Sequence, residues 1–320
     1  MSDLIVPKGF QKIKDDPEFN PAKHLALEAP EVIESLADFG YDTDQVANCP
    51  SDFAASSFFR ILSDEGAACL LHVCRQLSEF TTSNQRIERN TRGGVYRSSF
   101  LADLCRSEDV RAFCSDIAGI ELLPHTIPHQ LGHLNYNPHQ VGKNVDKWHV
   151  DTLRYDYVMF VTDPKALSGG EFQYYRGTKD EFKQLKETSK PIPKEKIISP
   201  DMPGPGYAIL QQGNMVVHQA KALKETGERI TMVNGYVAND ARIDDYCRFD
   251  QLWLVDPQDV ITSEYAHHAA ATAKRLIDHS GSDADRQTHI KNLRDAAQRL
   301  QDAASMIESA DTVQLEHFGD

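Results

Sequence analysis

Between His133 and Val237 the chain breaks into short apolar or alternating runs: HLNY, WHVDT, YVMFV, GEFQYY, YAILQQ, NMVVH and RITMVNGYV, separated by turn residues. Runs of this length and spacing bury their apolar faces by pairing with one another, which predicts a β-sandwich or barrel. The break between GEFQYY and YAILQQ is a polar, lysine-rich stretch, DEFKQLKETSKPIPKEKIISPDMPGPG, whose prolines and glycines predict a surface excursion.

Helical signals flank this core. SDEGAACLLHVCRQLSEF, residues 63–80, has Ser63 as N-cap, acids in its first turn and apolar residues at Ala67, Leu70, Cys74 and Leu77, the pattern of an amphipathic helix. A second helix is expected over 107–117, between Ser107 and Gly119. In the tail, Ile290, Leu293, Ala297, Leu300, Ala304 and Ile307 recur at intervals of three and four, a heptad-like seam. A helix over 263–279 precedes it across SGSD, so the two predict a hairpin packed on the barrel, or a homo-oligomer interface. The organisation expected is an N-terminal extension over 1–50 with a short helix over 31–39, a main domain over 51–256, and a C-terminal hairpin over 257–320.

Composition excludes several function classes. The 320 residues carry a formal net charge of −14 and show no basic stripe interleaved with aromatics, so nucleic acid is not an expected partner. No apolar run approaches the roughly 20 residues of a membrane helix. The N-terminus lacks the basic start and apolar core of a secretory signal, and the six cysteines form no CxxC pair. A cytoplasmic protein with reduced thiols is expected.

KWHVDT sits among strand-forming residues. In a strand, residues i and i+2 share a face, so His149 and Asp151 project together as two adjacent metal ligands. The run NMVVHQ offers a third, His218. Two histidines and one carboxylate form the facial triad of non-haem iron oxygenases, which leaves neighbouring positions open for a chelating co-substrate and dioxygen. Eleven residues later, Arg229 shares a face with Thr231 and Val233. A guanidinium on a core strand is unfavourable without an anion beside it. The distal carboxylate of 2-oxoglutarate fits, with Thr231 donating a hydroxyl hydrogen bond.

Tyr136, the HxD of His149 and Asp151, GGEF over 169–172, His218, and Gly227-Glu228-Arg229 follow one another in this order. This ordered set resembles the Fe(II)- and 2-oxoglutarate-dependent dioxygenases, in their prolyl-hydroxylase-like branch, over about 100 residues. In that branch a glycine closely follows the strand tyrosine, whereas here the residues are NPHQVG, with His139 and Gly142. The resemblance implies a mainly β chain with a double-stranded β-helix (jelly-roll, cupin-like) core, N-terminal helices packed on the barrel and a C-terminal helical hairpin. It implies that His149, Asp151 and His218 bind Fe(II), that Arg229 and Thr231 hold the far carboxylate of 2-oxoglutarate, and that Tyr136 hydrogen-bonds to it. It also implies O2 as oxidant, ascorbate as a reductant, and hydroxylation of an unactivated C–H bond with release of succinate and CO2. Related halogenases have a small residue in place of the carboxylate, so Asp151 points away from halogenation.

The expected substrate is a small organic anion, met by Arg92, Arg97 and Arg154 and walled by Tyr155 and Phe172, with Tyr96, Tyr157 and Tyr174 nearby. Alternatives are a peptidyl hydroxylase of the prolyl-hydroxylase type, which needs an open groove, and a non-catalytic cupin-like metal- or ligand-binding module. Other residues compete for roles. His125, His129 and His133 are spaced by four, but Pro128 interrupts a helix there. His267 and His268 read as surface or interface residues, His72 as structural, GGEF as a tight turn, and RNTRGG over 89–94 as a mobile loop.

Overall fold

The computed structural model describes residues 4–84, 86–279, 281 and 284–312. Among them, two antiparallel sheets form the core. The smaller runs in the order Ile197–Ile198, Phe172–Tyr175, His218–Ala222 and Asn144–His149. The main path of the larger is Leu25–Glu28, Phe59–Leu62, Tyr207–Gln212, Tyr155–Phe160, Ile230–Ala238, His133–Tyr136 and Asn90–Thr91.

The strand Tyr155–Phe160 shows why YDYVMF lacks a solvent face: it is central in its sheet and covered on both sides. Tyr155, Tyr157 and Met159 pack among Leu101, Leu104, Cys105 and Met232 on the helical side. Val158 and Phe160 pack with Phe172, Ile209 and Val216 toward the smaller sheet. Asp156, between the two tyrosines, therefore faces the interior between the sheets.

Helices Asp64–Leu77 and Glu108–Ala118 form where their caps predict, with Ser63 Oγ accepting from Gly66 N, Ser107 Oγ accepting from Val110 N, and Gly119 closing the second at φ 68°. Four segments differ from expectation. The N-terminal 50 residues are part of the main sheet: Leu25–Glu28 pairs with Phe59–Leu62, and Ile33–Ser35, where a helix is expected, pairs with Phe53–Ser56. The RNTRGG segment supplies the edge strand Asn90–Thr91, both residues buried. The lysine-rich excursion contains the helix Lys179–Glu187, capped by Thr178 and anchored by the buried Phe182.

The tail forms two helices, Gln258–Asp278 and Arg286–Ser309, packed against each other. The stripe that Arg286–Ser309 buries is Asn292, Ala296 and Ala303, leaving Leu293 and Leu300 of the expected seam 55% and 45% exposed. A one-residue shift turns a helix by about 100°. The small side chains at 296 and 303 face inward and permit close approach, which propensity alone does not encode. Within the intervening SGSD, Ser280, Ser282 and Asp283 lie outside the described residues. Among the described residues no helix is long and apolar enough to cross a membrane.

Candidate metal centre

His218 heads its strand directly opposite His149, the last residue of Asn144–His149. Both histidines are aimed by the same device: His149 Nδ1 lies 2.6 Å from the carbonyl of Lys147 and His218 Nδ1 2.9 Å from that of Val216. A proton on each Nδ1, donated to the carbonyl, leaves the Nε2 lone pairs available to a metal. Asp151 lies two residues beyond the strand end, and its N–H donates to Gly213 O at 2.9 Å. Its Oδ1 is 3.5 Å from His149 Nε2 and its Oδ2 3.3 Å from His218 Nε2. The three groups offer ligand atoms all within 4.8 Å of one another.

The electrostatics match. Burial pushes the Asp151 carboxyl upward, but His218 and His149 together hold it well below the usual range. Burial, then the neighbouring His149, lowers the His218 imidazole to about 4. A deprotonated carboxylate beside a neutral imidazole is the state in which both bind a metal. The donor set, two imidazoles and one carboxylate, suits iron or another first-row divalent ion.

Arg229 lines the same small cavity as the three ligands, as do Thr231, Val233, Phe172, His133 and Asn135. It is 1% exposed. Its Nε donates to Gly170 O at 2.7 Å, its Nη1 to Thr231 Oγ1 at 3.3 Å, and its guanidinium lies 4.9 Å from the Phe160 ring centroid. Among the described residues no carboxylate pairs with it. Burial draws its pKa down to about 10, against the more distant Asp146 and Glu171. The Gly-Gly turn seats this cation: a Cβ at Gly170, where φ is 75°, would meet Arg229 Cδ at 2.9 Å, and one at Gly169, φ 86°, would meet Ala222 O at 2.4 Å. Phe172, on the next strand, lies 5.6 Å from His218, ring centroid to centroid.

Four expected site residues lie elsewhere. Tyr136 points to the opposite face of its strand from His133 and Asn135, donating to Cys74 O at 2.7 Å. Its alternation is right for a strand, but its side is the helical one. Arg97 lies against the Phe10 and Phe80 rings and donates to Gln11 O. Arg154 is bound to Asp244 O and Asn48 O. Tyr155 is fully buried in the helical-side core, its hydroxyl 3.1 Å from Ser51 Oγ. Arg92 does face a cavity of about 720 Å³ that opens on Asp151, and pairs with Asp256 at 2.6 Å.

Residues with no sequence motif complete the centre. Arg86 lines both cavities and pairs with Asp146 at 3.0 Å, and Asp146 lies 3.6 Å from His149 Nε2. Gln211 and Asp156 are both fully buried beside Asp151. Burial, then the charge of Asp151, raises the Asp156 carboxyl well above the usual range. The one signal in the sequence was an acid inside YDYVMFV.

His125, Cys247 and His268 form a second group of possible ligands. His268, expected at the surface or an interface, is 3% exposed within the chain. Its Nε2 lies 3.2 Å from Asp245 Oδ2 and its Nδ1 2.7 Å from Thr126 Oγ1, while His125 Nδ1 accepts from Ile127 N. The two rings are parallel within 2°, centroids 5.3 Å apart. Stacked parallel rings do not aim in-plane lone pairs at one point, so this is a hydrogen-bonded tie between the sheet and the tail helices. Burial, then His268, lowers His125 to about 3. The folded value lies below the unfolded one, about 6.5, so the unfolded chain binds the extra proton. Stability is full above that pH and falls as pH drops toward 3, at up to about 1.4 kcal/mol per pH unit from this group. Melting curves between about pH 7.5 and 4.5, which cover the upper part of this window, should show the decline, and His125→Gln should make it shallower.

The family described as "HalD: Halogenase D" matches residues 75–251, which include the whole smaller sheet, the central strands of the larger and all three ligands. The chain belongs to the halogenase D family. No curated protein matches the chain in sequence. Among solved structures, this family member is similar to EctD from S. alaskensis with 2-oxoglutarate and 5-hydroxyectoine, at 16% identity and a TM-score of 0.45, covering 76% of this chain and 89% of that one. It is also similar to the non-heme alpha ketoglutarate dependent epimerase SnoN, at 13% identity and a TM-score of 0.41, covering 56% and 75%. A third is HygX from Streptomyces hygroscopicus with nickel and 2-oxoglutarate bound, at 13% identity and a TM-score of 0.39, covering 56% and 82%.

Proposed function

We propose that this protein is an Fe(II)- and 2-oxoglutarate-dependent oxygenase that hydroxylates an unactivated C–H bond of a small anionic molecule, on a double-stranded β-helix closed by its two sheets. The observation that carries the reading is one cavity holding both convergent Nε2 atoms, the Asp151 carboxylate and a buried cation that has no carboxylate partner among the described residues. In this reading His149, Asp151 and His218 hold the metal, and Arg229 with Thr231 takes the far carboxylate of 2-oxoglutarate. Iron held there would supply the oxidising chemistry, in which one oxygen atom of O2 would enter the substrate as hydroxyl and the other succinate, with loss of CO2. The protein's own contribution is to hold the reactants in register and exclude water. The cavity beside the ligands is about 40 Å³, and the Arg86–Asp146 pair is among the groups that line it.

Two observations narrow the substrate. The 720 Å³ cavity, partly open to solvent and lined on one side by Gln251, Leu252 and Val255, is of small-molecule size. Its lining carries six basic side chains against three acidic ones in a chain of net charge −14. Arg86, Arg92 and Arg248 have carboxylate partners at 3.0, 2.6 and 2.7 Å. The helix Lys179–Glu187 adds Lys179, Lys183 and Lys186; Lys183 lies 4.0 Å from Glu187, and Lys179 Nζ meets Asn214 O and Met215 Sδ at 3.3 and 3.5 Å and lies 5.4 Å from the Tyr246 ring centroid. The excursion is thus read as a substrate-facing helix. A Lys179→Gln, Lys183→Gln, Lys186→Gln variant should raise KM for the substrate about tenfold or more and leave substrate-free turnover of 2-oxoglutarate unchanged.

The family description favours halogenation as a second reading. The ligand set opposes it, because a six-coordinate metal held by His149, Asp151 and His218 would have no position left for a halide beside a chelating co-substrate and dioxygen. Succinate release from 2-oxoglutarate, measured with Fe(II), ascorbate and a metabolite panel, tests the enzyme reading against a non-catalytic cupin-like module. Products formed in chloride and bromide buffers should gain oxygen; incorporated halogen would reverse the preference.

A further inference from the structure

Asp151 stands outside the ladder that fixes the two histidines. Its strand ends at His149, and its N–H···O bond to Gly213 fixes its main chain alone. The carboxylate is met instead from the larger sheet. Gln211 and Asp156 are direct partners across the strands Tyr207–Gln212 and Tyr155–Phe160. Gln211 Nε2 has two hydrogens, and its two carboxylate neighbours match them: Asp156 Oδ1 at 3.1 Å and Asp151 Oδ2 at 3.2 Å. The same amide nitrogen lies 3.3 Å from His218 Nε2. Gln211 and Asp156 are both fully buried.

Gly213 completes the arrangement by having no side chain. A Cβ there would stand 2.2 Å from Asp156 Oδ2, 2.5 Å from Asp151 Oδ2 and 3.0 Å from Asp151 Cβ. The glycine is required for space and not for a left-handed backbone, since its φ lies outside the positive region. A single methyl group at this point would push on the carboxylate that joins the two histidines.

We infer that Gln211, Asp156 and Gly213 are positioning residues for the metal: Asp156 fixes the Gln211 amide, Gln211 orients Asp151, and Gly213 leaves the volume in which Asp151 reaches the two histidines. The inference rests on the reading of the three ligands as a metal centre. Its consequence is that metal affinity depends on a cross-strand pair that binds no metal. Outer partners of metal ligands typically govern about 10- to 100-fold in affinity.

The test is anaerobic titration of the full-length, metal-stripped protein with Co(II), followed by its visible ligand-field bands, alongside melting curves. Gln211→Met keeps the side-chain length and removes the donor; Asp156→Leu releases the amide; Gly213→Ala adds the obstructing methyl. Each should weaken Co(II) binding about 10- to 100-fold and alter the band pattern in protein that still melts cooperatively. Asp156→Asn keeps an oxygen for the Gln211 amide and should bind within about threefold of the wild type, a margin below the usual outer-partner effect. Wild-type affinity and spectrum in Gln211→Met and Gly213→Ala would overturn the inference, as would a loss confined to melting temperature. A wild-type protein that takes up no Co(II), or an Asp151→Ala variant that binds it equally well, would instead refute the metal centre itself.

Discussion

Replacing His218 or Asp151 with alanine is expected to remove stoichiometric Fe(II) binding and take 2-oxoglutarate turnover below detection. Each supplies one of three ligands, and losing a ligand should exceed the 10- to 100-fold effect typical of an outer partner, so the affinity loss should be greater than about 100-fold. The two variants should differ in the apo state. Asp151→Ala takes the carboxylate from between two imidazoles and leaves Gln211 Nε2 without one of its two carboxylate acceptors. His218→Ala opens space beside Phe172, whose ring packs 5.6 Å from the imidazole. Metal-binding stoichiometry, succinate assays and melting curves on the same preparations separate loss of ligation from loss of fold.

Arg229→Met is expected to separate function from stability even more sharply. A buried guanidinium with no anionic partner carries an uncompensated desolvation penalty, so replacing it with an apolar side chain of similar length removes that penalty. Against this stands the loss of the hydrogen bond to Gly170 O, made at 2.7 Å. The two effects oppose each other, and the melting temperature should change little. Affinity for 2-oxoglutarate should fall by about 2–5 kcal/mol, or at least roughly 30-fold, because one partner of a buried charge pair would be missing. Fe(II) binding should be retained. Arg229→Lys should recover part of the loss, since it restores the charge without the two-pronged donor geometry. A large fall in stability with unchanged co-substrate affinity would mean that the cation is structural.

The site was legible in the sequence where chemistry and spacing coincide. The HxD pair, a later histidine and a cation on an apolar strand identify groups that the structure gathers in one cavity. Tyr136 shows the limit of that reading: strand alternation says that His133 and Asn135 lie opposite Leu134 and Tyr136, but not which pair faces the site. Only pairing with Ile230–Ala238 and the helices behind it settles the side. Gln211 and Asp156 illustrate a second limit, since their meeting is a cross-strand register that no local pattern records. The tail seam illustrates a third. Leu293 and Leu300 fit a heptad, yet close packing against Gln258–Asp278 selects the stripe of Ala296 and Ala303. The lysine-rich excursion misled for a related reason: prolines and glycines predict a loop correctly at its end, while Thr178 and Phe182 cap and anchor a helix at its start.

One metal ion and one dicarboxylic acid sharing a cavity can be observed in a single cuvette. Metal-stripped protein is titrated with Fe(II) without oxygen, and then with 2-oxoglutarate. One equivalent of metal should bind, and the co-substrate should then produce a visible charge-transfer band that is absent without Fe(II) and much weakened in Arg229→Met. Failure to bind metal, or a solution that stays colourless with both present, would contradict the shared site.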